Sequence, residues 1–338
     1  MSKLRTRQVL ALAVMLVLSG GTFAPTYAQE KEKPGKAEKK EKKEKKEKKK
    51  APQGTPVLWQ EPTDIASRDL LLGPGGERMK PDVSRLTFIK EEKGGYSKKY
   101  RVKDAQGRVW VAKIGKEAQS ETAAVRLVWA AGYVSEINYL VPRVTIEGKG
   151  TFENVRFEAR PENVDRWEQW SWENNPFSGK RELQGLKVLM ALMENWDLKD
   201  ENNRILVVSR DGENELQYII SDLGTTFGKT GGQNGPVSFF KKIKGSRNEP
   251  KDYVEDKFID AVDGDKVRLD YDGKNSDIMR NITIADAKWI GDLLSRLSDA
   301  QLEDAFRAAN YSSEEVSMLA KAVRKRINDL TNLQRSTN

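Results

Sequence analysis

The spacing of apolar residues divides this chain into regions of different period. Residues 86–89, 100–102, 109–114, 139–146 and 154–159 are short apolar runs separated by turn residues, among them Gly94-Gly95, Gln106-Gly107 and Gly148-Lys149-Gly150. Runs of this length between such turns predict antiparallel strands. Within them, residues 117–131 carry Ala, Leu and Val at helical spacing and predict a helix. Residues 181–194 hold Leu183, Leu186, Leu189, Met190 and Met193 at three- and four-residue steps, a core-facing stripe on a second helix. Two further apolar runs, 205–208 and 218–220, flank Gly212 and Asn214 and predict a hairpin. A strand at 267–271 and a helix at 286–297 follow. The capping boxes Ser298-x-x-Gln301 and Ser312-x-x-Glu315 open two more helices. Upstream, the Pro- and Gly-rich residues 51–80 predict an extended arm against the domain, with a short helix at 64–72.

The predicted hairpin is flanked by polar residues with chemistry. NWDLKDENN (195–203) leads into its first strand, and SDLGTTFG (221–228) leaves its second. A hairpin brings Asp197, Asn202 and Asp222 to one end of two paired strands. Two carboxylates and an amide oxygen there suit a hard cation holding nucleotide phosphates. Taken alone, the same residues also fit an acidic, solvated loop.

Lys113 shares a strand face with Val109 and Val111, and a lysine turned inward among valines needs a partner. Glu121, near the start of the helix at 117–131, offers one. Glu117 is a rival placed so early that it is expected in the loop. An ordinary surface lysine beside a first-turn glutamate fits equally well. Gly94 and Gly95 at the first turn allow backbone N–H groups close to a phosphate, with Ser97 and Lys98 as additional donors.

Composition removes several chemistries. The 338 residues include no His and no Cys, so imidazole bases, thiol nucleophiles and Cys/His zinc sites are excluded. Residues 1–28 have a basic start, an apolar run at 9–18 and Thr26-Tyr27-Ala28, the pattern of a cleaved secretory signal peptide, predicting a periplasmic or secreted protein. Residues 30–50 contain twelve lysines and six glutamates. With the basic residues of the leader they account for more than the whole formal charge of +8. The rest is nearly neutral, so no specific nucleic-acid binding is expected. Residues 29–57 are expected to be a disordered linker able to contact anionic envelope material.

Three other stretches have plain readings. The Trp-rich residues 164–177 are expected to pack a lobe junction rather than form a carbohydrate platform. Gly224 to Thr230 resembles a phosphate-binding loop but has three residues between its glycines instead of four, and is expected to be a mobile activation-type segment. Asp270, Asp272, Asn275 and Asp277 lack the closing Glu of a calcium loop and are expected to form a turn.

The order of these pieces resembles the protein-kinase-like superfamily in its atypical branch. The pair NWD-x₄-NN and strand-DLG-x-x-FG is similar to the secreted spore-coat CotH kinases. The strand-rich first part is similar to HipA-like and phosphatidylinositol-kinase-like enzymes. The resemblance covers about residues 82–230. It implies an α+β, two-lobed protein-kinase-like fold, with an antiparallel small lobe at 82–162 and a mainly helical large lobe at 163–338; the Pro- and Gly-rich arm is then bounded at 58–81. It further implies ATP with Mg²⁺ or Mn²⁺: Lys113 on the phosphates and Glu121 holding it, Asp197 at the acceptor, Lys199 on the transferred phosphate, and Asn202 and Asp222 on the metal. Asn195-Trp196 replaces the usual His-Arg, Gly94-Gly95 is not G-x-G-x-x-G, and no Ala-Pro-Glu follows. The expected function is an exported, monomeric phosphotransferase acting on a hydroxyl of a protein, lipid or sugar. An inactive kinase-like binding module and a transferase of AMP remain open.

Overall fold

The computed structural model describes residues 51–94, 97–210, 212–230 and 245–335. The leader, the Lys/Glu tract and Gly95 lie outside the described residues. Five strands form one antiparallel sheet: β2 (Thr87–Glu92), β3 (Lys98–Lys103), β4 (Val109–Ile114), β5 (Asn138–Ile146) and β6 (Gly150–Ala159), in the order β2-β3-β4-β6-β5. Helix α1 (Glu117–Ala130) connects β4 to β5. Strand alternation separates two faces. Tyr100, Val102, Trp110, Ala112 and Phe157 cluster on one, with Leu86, Met79 and Val83 from the preceding segment packed against them. The opposite face is charged, because Lys99 pairs with Lys113, Lys113 with Arg156, and Val111 with Glu158.

The second sheet has the order β1-β9-β8-β7, built from β1 (Thr55–Val57), β7 (Val164–Arg166), β8 (Asn203–Arg210) and β9 (Glu213–Ile220). Helix α2 (Arg181–Leu192) leads into residues 195–203 and buries Leu183, Leu186, Leu189 and Met190 as its stripe requires. The C-terminal half adds α3 (Pro250–Glu255), a small hairpin of β10 (Ile259–Asp263) and β11 (Lys266–Leu269), and helices α4 (Ile284–Ser295), α5 (Asp299–Arg307) and α6 (Ser313–Thr331). Both capping boxes read from the sequence are formed, at Ser298/Gln301 and Ser312/Glu315, and Thr283/Asp286 makes a third. The architecture is α+β, an antiparallel lobe joined to a lobe of helices and hairpins.

Helix α1 touches the sheet it follows, where Arg126 donates to Asn138 of β5 and Glu121 meets Lys113 of β4, but its apolar side chains belong to the hydrophobic cluster of the other lobe. Ala123, Ala124, Leu127 and Val128 share that cluster with residues of α2, α4, α5 and α6, and α5 is the helix that lies against α1. The helix therefore couples the two lobes, and nearly all of it is buried.

Four expectations are corrected. Residues 55–57 are not linker: as β1 they pair in parallel with Glu215–Gln217 and cover the open edge of β9. The helix expected at 64–72 is reduced to a single turn at Ile65–Ser67, because Ile65 and Leu70 both enter the core and Asp64 bonds Arg68 instead of capping. The expected mobile segment is fixed where it is described. Leu223 and Phe227 are buried, Phe227 donates its N–H to Met193 O at 2.9 Å, and its ring meets Tyr253 and Phe306 edge-on. Glu117 is not in a loop but is the first residue of α1. A fifth expectation changes with them: Trp170 and Trp172 pack on each other, and Trp170 on Tyr218, inside the large lobe rather than at a lobe junction.

Candidate active site

Lys113 is 2 % exposed and enclosed by carboxylates. Its Nζ lies 2.8 Å from Glu121 Oε2, 2.9 Å from Glu117 Oε2 and 3.3 Å from Asp222 Oδ1. Burial alone would lower its pKa. The carboxylates of Glu121, Asp222 and Glu117 outweigh burial and hold it above the usual lysine range. Burial likewise opposes the charge on Asp222, yet Lys113 and the Gly224 N–H keep its pKa below the usual carboxylate value. Glu121 is shared, since Arg156 Nη1 lies 3.2 Å from its other oxygen. Arg156 also donates to Glu158 at 2.8 Å.

The floor comes from the hairpin. Asn203 pairs with Ile220, and the Ser221 N–H donates to Asn202 O at 2.7 Å, which places Asn202 beside Asp222. Lys113, Glu121, Asn202 and Asp222 line one cavity of about 280 Å³ with Arg156, Glu158, Arg204 and Lys99. Asp197 stands one bond away. Asn202 Nδ2 donates to its carbonyl at 2.6 Å and to Oδ2 at 3.2 Å, so the amide oxygen Oδ1 points elsewhere as acceptor. Lys199 Nζ sits 2.9 Å from both Asp197 oxygens. Lys274, from the turn after β11, brings a second ammonium 3.4 Å from Asp197 Oδ1.

A second cavity of about 430 Å³ adjoins the first. Val109, Ile137, Ala159, Pro161, Val164 and Leu206 give it apolar walls, with Glu136, Arg160 and Arg166 among its polar residues. Arg166 crosses from β7 to Glu136 at 2.5 Å and donates to Ser221 Oγ at 2.8 Å, tying both lobes together next to Asp222. Burial and the neighbouring Glu158 push Glu136 up to about 7.

The structure brings together Lys113, Glu121, Asn202 and Asp222, with Asp197 and Lys199 adjoining. Three expected glycine-turn donors are placed otherwise. Gly94 has φ 104° and open space around it, which suits a turn and shows no contact with the cavity. Ser97 Oγ is committed to Glu117 at 2.7 Å. Lys98 faces the opposite side of the sheet, its ammonium 5.0 Å from the Tyr100 ring and 5.6 Å from Phe152. Lys99, one residue on, is the lysine that lines the cavity. Lys99, Arg156, Glu158, Arg166 and Lys274 were not among the expected site residues, and Glu117, expected only as a rival to Glu121, holds Lys113 beside it. Arg156 and Glu158 had a signal, two charges alternating with Val155, Phe157 and Ala159 at the end of a strand. Lys274 had none.

Among the described residues no group of three or more acidic side chains could hold a metal ion alone. Asp222 and the Asn202 amide oxygen are a set of two. That set fits a magnesium-type ion, which keeps waters and takes other ligands from phosphates, rather than a preformed cation cage.

No protein-family model matches the sequence, and no curated protein is detectably similar to it. Several solved structures are similar in fold. The Helicobacter pylori proinflammatory kinase CtkA is 12 % identical with a TM-score of 0.40, over 72 % of this chain and 92 % of that one. The Golgi casein kinase is 9 % identical with a TM-score of 0.36, over 75 % and 73 %. Hydra Fam20, in a structure with sugar, is 10 % identical with a TM-score of 0.30, over 75 % and 88 %. At such scores the likeness adds nothing to the site's own geometry.

Proposed function

We propose that this chain is an atypical kinase, moving a phosphoryl group from ATP to a hydroxyl acceptor in the presence of Mg²⁺ or Mn²⁺. The observation that carries this reading is the buried Lys113, held by Glu121 and in contact with Asp222 at the mouth of the hairpin. A cation fixed in that way is set for phosphate oxygens and cannot swing out to solvent. The apolar cavity between Val109 and Leu206 suits the base, and the polar one suits the phosphates. A divalent ion on Asp222 and Asn202 would neutralise phosphate charge as it develops.

The chain's own residues have distinct tasks. Lys113 and Lys99 offset charge on the phosphates. Asp197 orients the acceptor hydroxyl and takes its proton as the new O–P bond forms and the bond to ADP breaks. Without histidine, positioning and electrostatics supply most of the rate. Lys199 follows the phosphoryl group. The leader at residues 1–28 supports export from the cytoplasm.

The test is a thermal-shift titration with ATP and Mg²⁺ or Mn²⁺, followed by mass spectrometry of candidate acceptors. Stabilisation that needs both nucleotide and metal, with a gain of one phosphate on the acceptor, is expected. A gain of one nucleoside monophosphate would convert the assignment to AMP transfer. A flat titration with every nucleotide would overturn it in favour of a non-enzymatic binding module.

A further inference from the structure

Asp197 is approached by a turn that lies far away in sequence. Residues 271–275 are attached to the backbone of 195–198 at several points. The Lys274 N–H donates to Trp196 O at 2.7 Å, and Asp197 and Lys274 form an isolated parallel bridge. Tyr271 Oη donates to Asn195 O at 2.8 Å, and Asn275 Nδ2 to Leu198 O at 3.3 Å. Gly273 makes the approach possible, since a Cβ there would stand 2.7 Å from Trp196 O and 2.4 Å from Tyr271 Oη. The backbone of Lys274 is thus held tightly while its side chain remains 56 % exposed.

The charge arrangement around Asp197 is unequal. Its carboxylate is 15 % exposed and meets two ammonium groups, Lys199 at 2.9 Å and Lys274 at 3.4 Å. Lys199 has a task on the phosphoryl side, as does Asp197 toward the hydroxyl. Asp272, nearby on the same turn, lines a different cavity with Asp260, Asp263 and Arg268 of the β10–β11 hairpin. Lys274 is the cation on the solvent side of the reacting carboxylate.

We infer that Lys274 is an anion site for the acceptor, selecting hydroxyl compounds that carry a phosphate or carboxylate beside the hydroxyl. This rests on the phosphotransferase reading of the same site. A hydroxyl bonded to Asp197 Oδ1 and an anion bonded to Lys274 Nζ are about 3.5 Å apart if the two bonds run parallel, and at most about 9 Å apart. Phosphorylated polyols and a serine next to an acidic residue both meet that spacing. Binding of the anion draws the Lys274 ammonium away from Asp197, so that Lys199 alone stays on the carboxylate and Oδ1 has room for the hydroxyl.

The test compares matched acceptors with the full chain: glycerol 3-phosphate against glycerol, and a Ser-Glu peptide against Ser-Gln. A preference for the anionic member is expected, and which pair shows it separates the two sources. In Lys274→Gln the preference should fall about tenfold, through KM. Lys274→Arg should keep most of it, and Lys274→Glu should reverse it. A preference unchanged in Lys274→Gln, or absent from the wild type, overturns the inference. Saturation-transfer NMR of glycerol 3-phosphate and glycerol, with ADP present, reads the site without turnover. Selective binding lost in Lys274→Gln but without any phosphoryl transfer would keep the anion site and sink the phosphotransferase reading. Equal weak binding of both probes would overturn the anion site itself.

Discussion

Lys113 and Arg156 stand opposite each other on β4 and β6 and divide one carboxylate between them, Glu121. All three are buried, so the Glu121 charge depends on both cations and each cation on its carboxylates. Removing one partner of a buried ion network leaves the remainder uncompensated, at about 3–5 kcal/mol. Arg156→Met is therefore expected to destabilise the fold by about 3 kcal/mol in urea denaturation and to weaken ATP binding indirectly. A variant with wild-type stability would show that Glu121 needs only Lys113.

The two lysines at the start of β3 should behave differently. Lys99 shares the cavity face with Lys113, whereas Lys98 lies over Tyr100 and Phe152 on the other side. Lys99→Ala should raise the apparent Kd for ATP roughly tenfold, the worth of one charge-assisted contact. Lys98→Ala should leave it unchanged. Isothermal titration of both variants checks this, and the opposite ranking would contradict the assignment of faces.

Binding and turnover should separate at the hairpin. Asp222→Asn removes the carboxylate of the two-residue metal set, so the metal-dependent part of the ATP thermal shift should vanish. Asp197→Asn leaves that set in place, so the shift should persist while phosphoryl transfer falls at least a hundredfold. EDTA should reproduce the first phenotype in the wild type. Turnover surviving in Asp197→Asn would remove Asp197 from the chemistry.

Glu194 links stability to pH. Burial pushes it up to about 8 against the influence of Arg326, whose Nη1 is 2.6 Å away. The unfolded chain releases this proton near 4.5 while the folded chain retains it. Its contribution to stability is full below pH 4.5 and declines as pH rises toward 8, by at most about 1.4 kcal/mol per unit. Glu136, pushed up to about 7, titrates in the same window but is present in both proteins and cancels in their comparison. The difference in unfolding free energy between wild type and Glu194→Gln should therefore move steadily across pH 5–8. A constant difference would show that Glu194 stays ionised beside Arg326.

Much of this protein follows from local pattern. Strand alternation around Val109, Val111 and Lys113 and the stripe of α2 at Leu183–Met193 report how a short segment meets a core, and that is encoded residue by residue. The approach of Asn202 to Asp222 follows as well, because a hairpin pairs residues at a fixed register. Capping boxes at Ser298 and Ser312 are equally local.

Other features depend on contacts between distant segments. The side that Lys98 and Lys99 face is set by the register of β3 against β4, and a one-residue difference reverses it. Glu117 reaches Lys113 only because α1 begins one residue after Lys116, with no loop between. Thr55–Val57 becomes a strand because β9 has an edge to cover, and residues 223–230 are held because Phe227 finds Tyr253 and Phe306. Lys274 is the clearest case. Nothing near it in sequence marks it, and it lies beside Asp197 because Gly273 allows one backbone to pass close to another. Asp197 was marked by its own loop, but its second ammonium was supplied by packing.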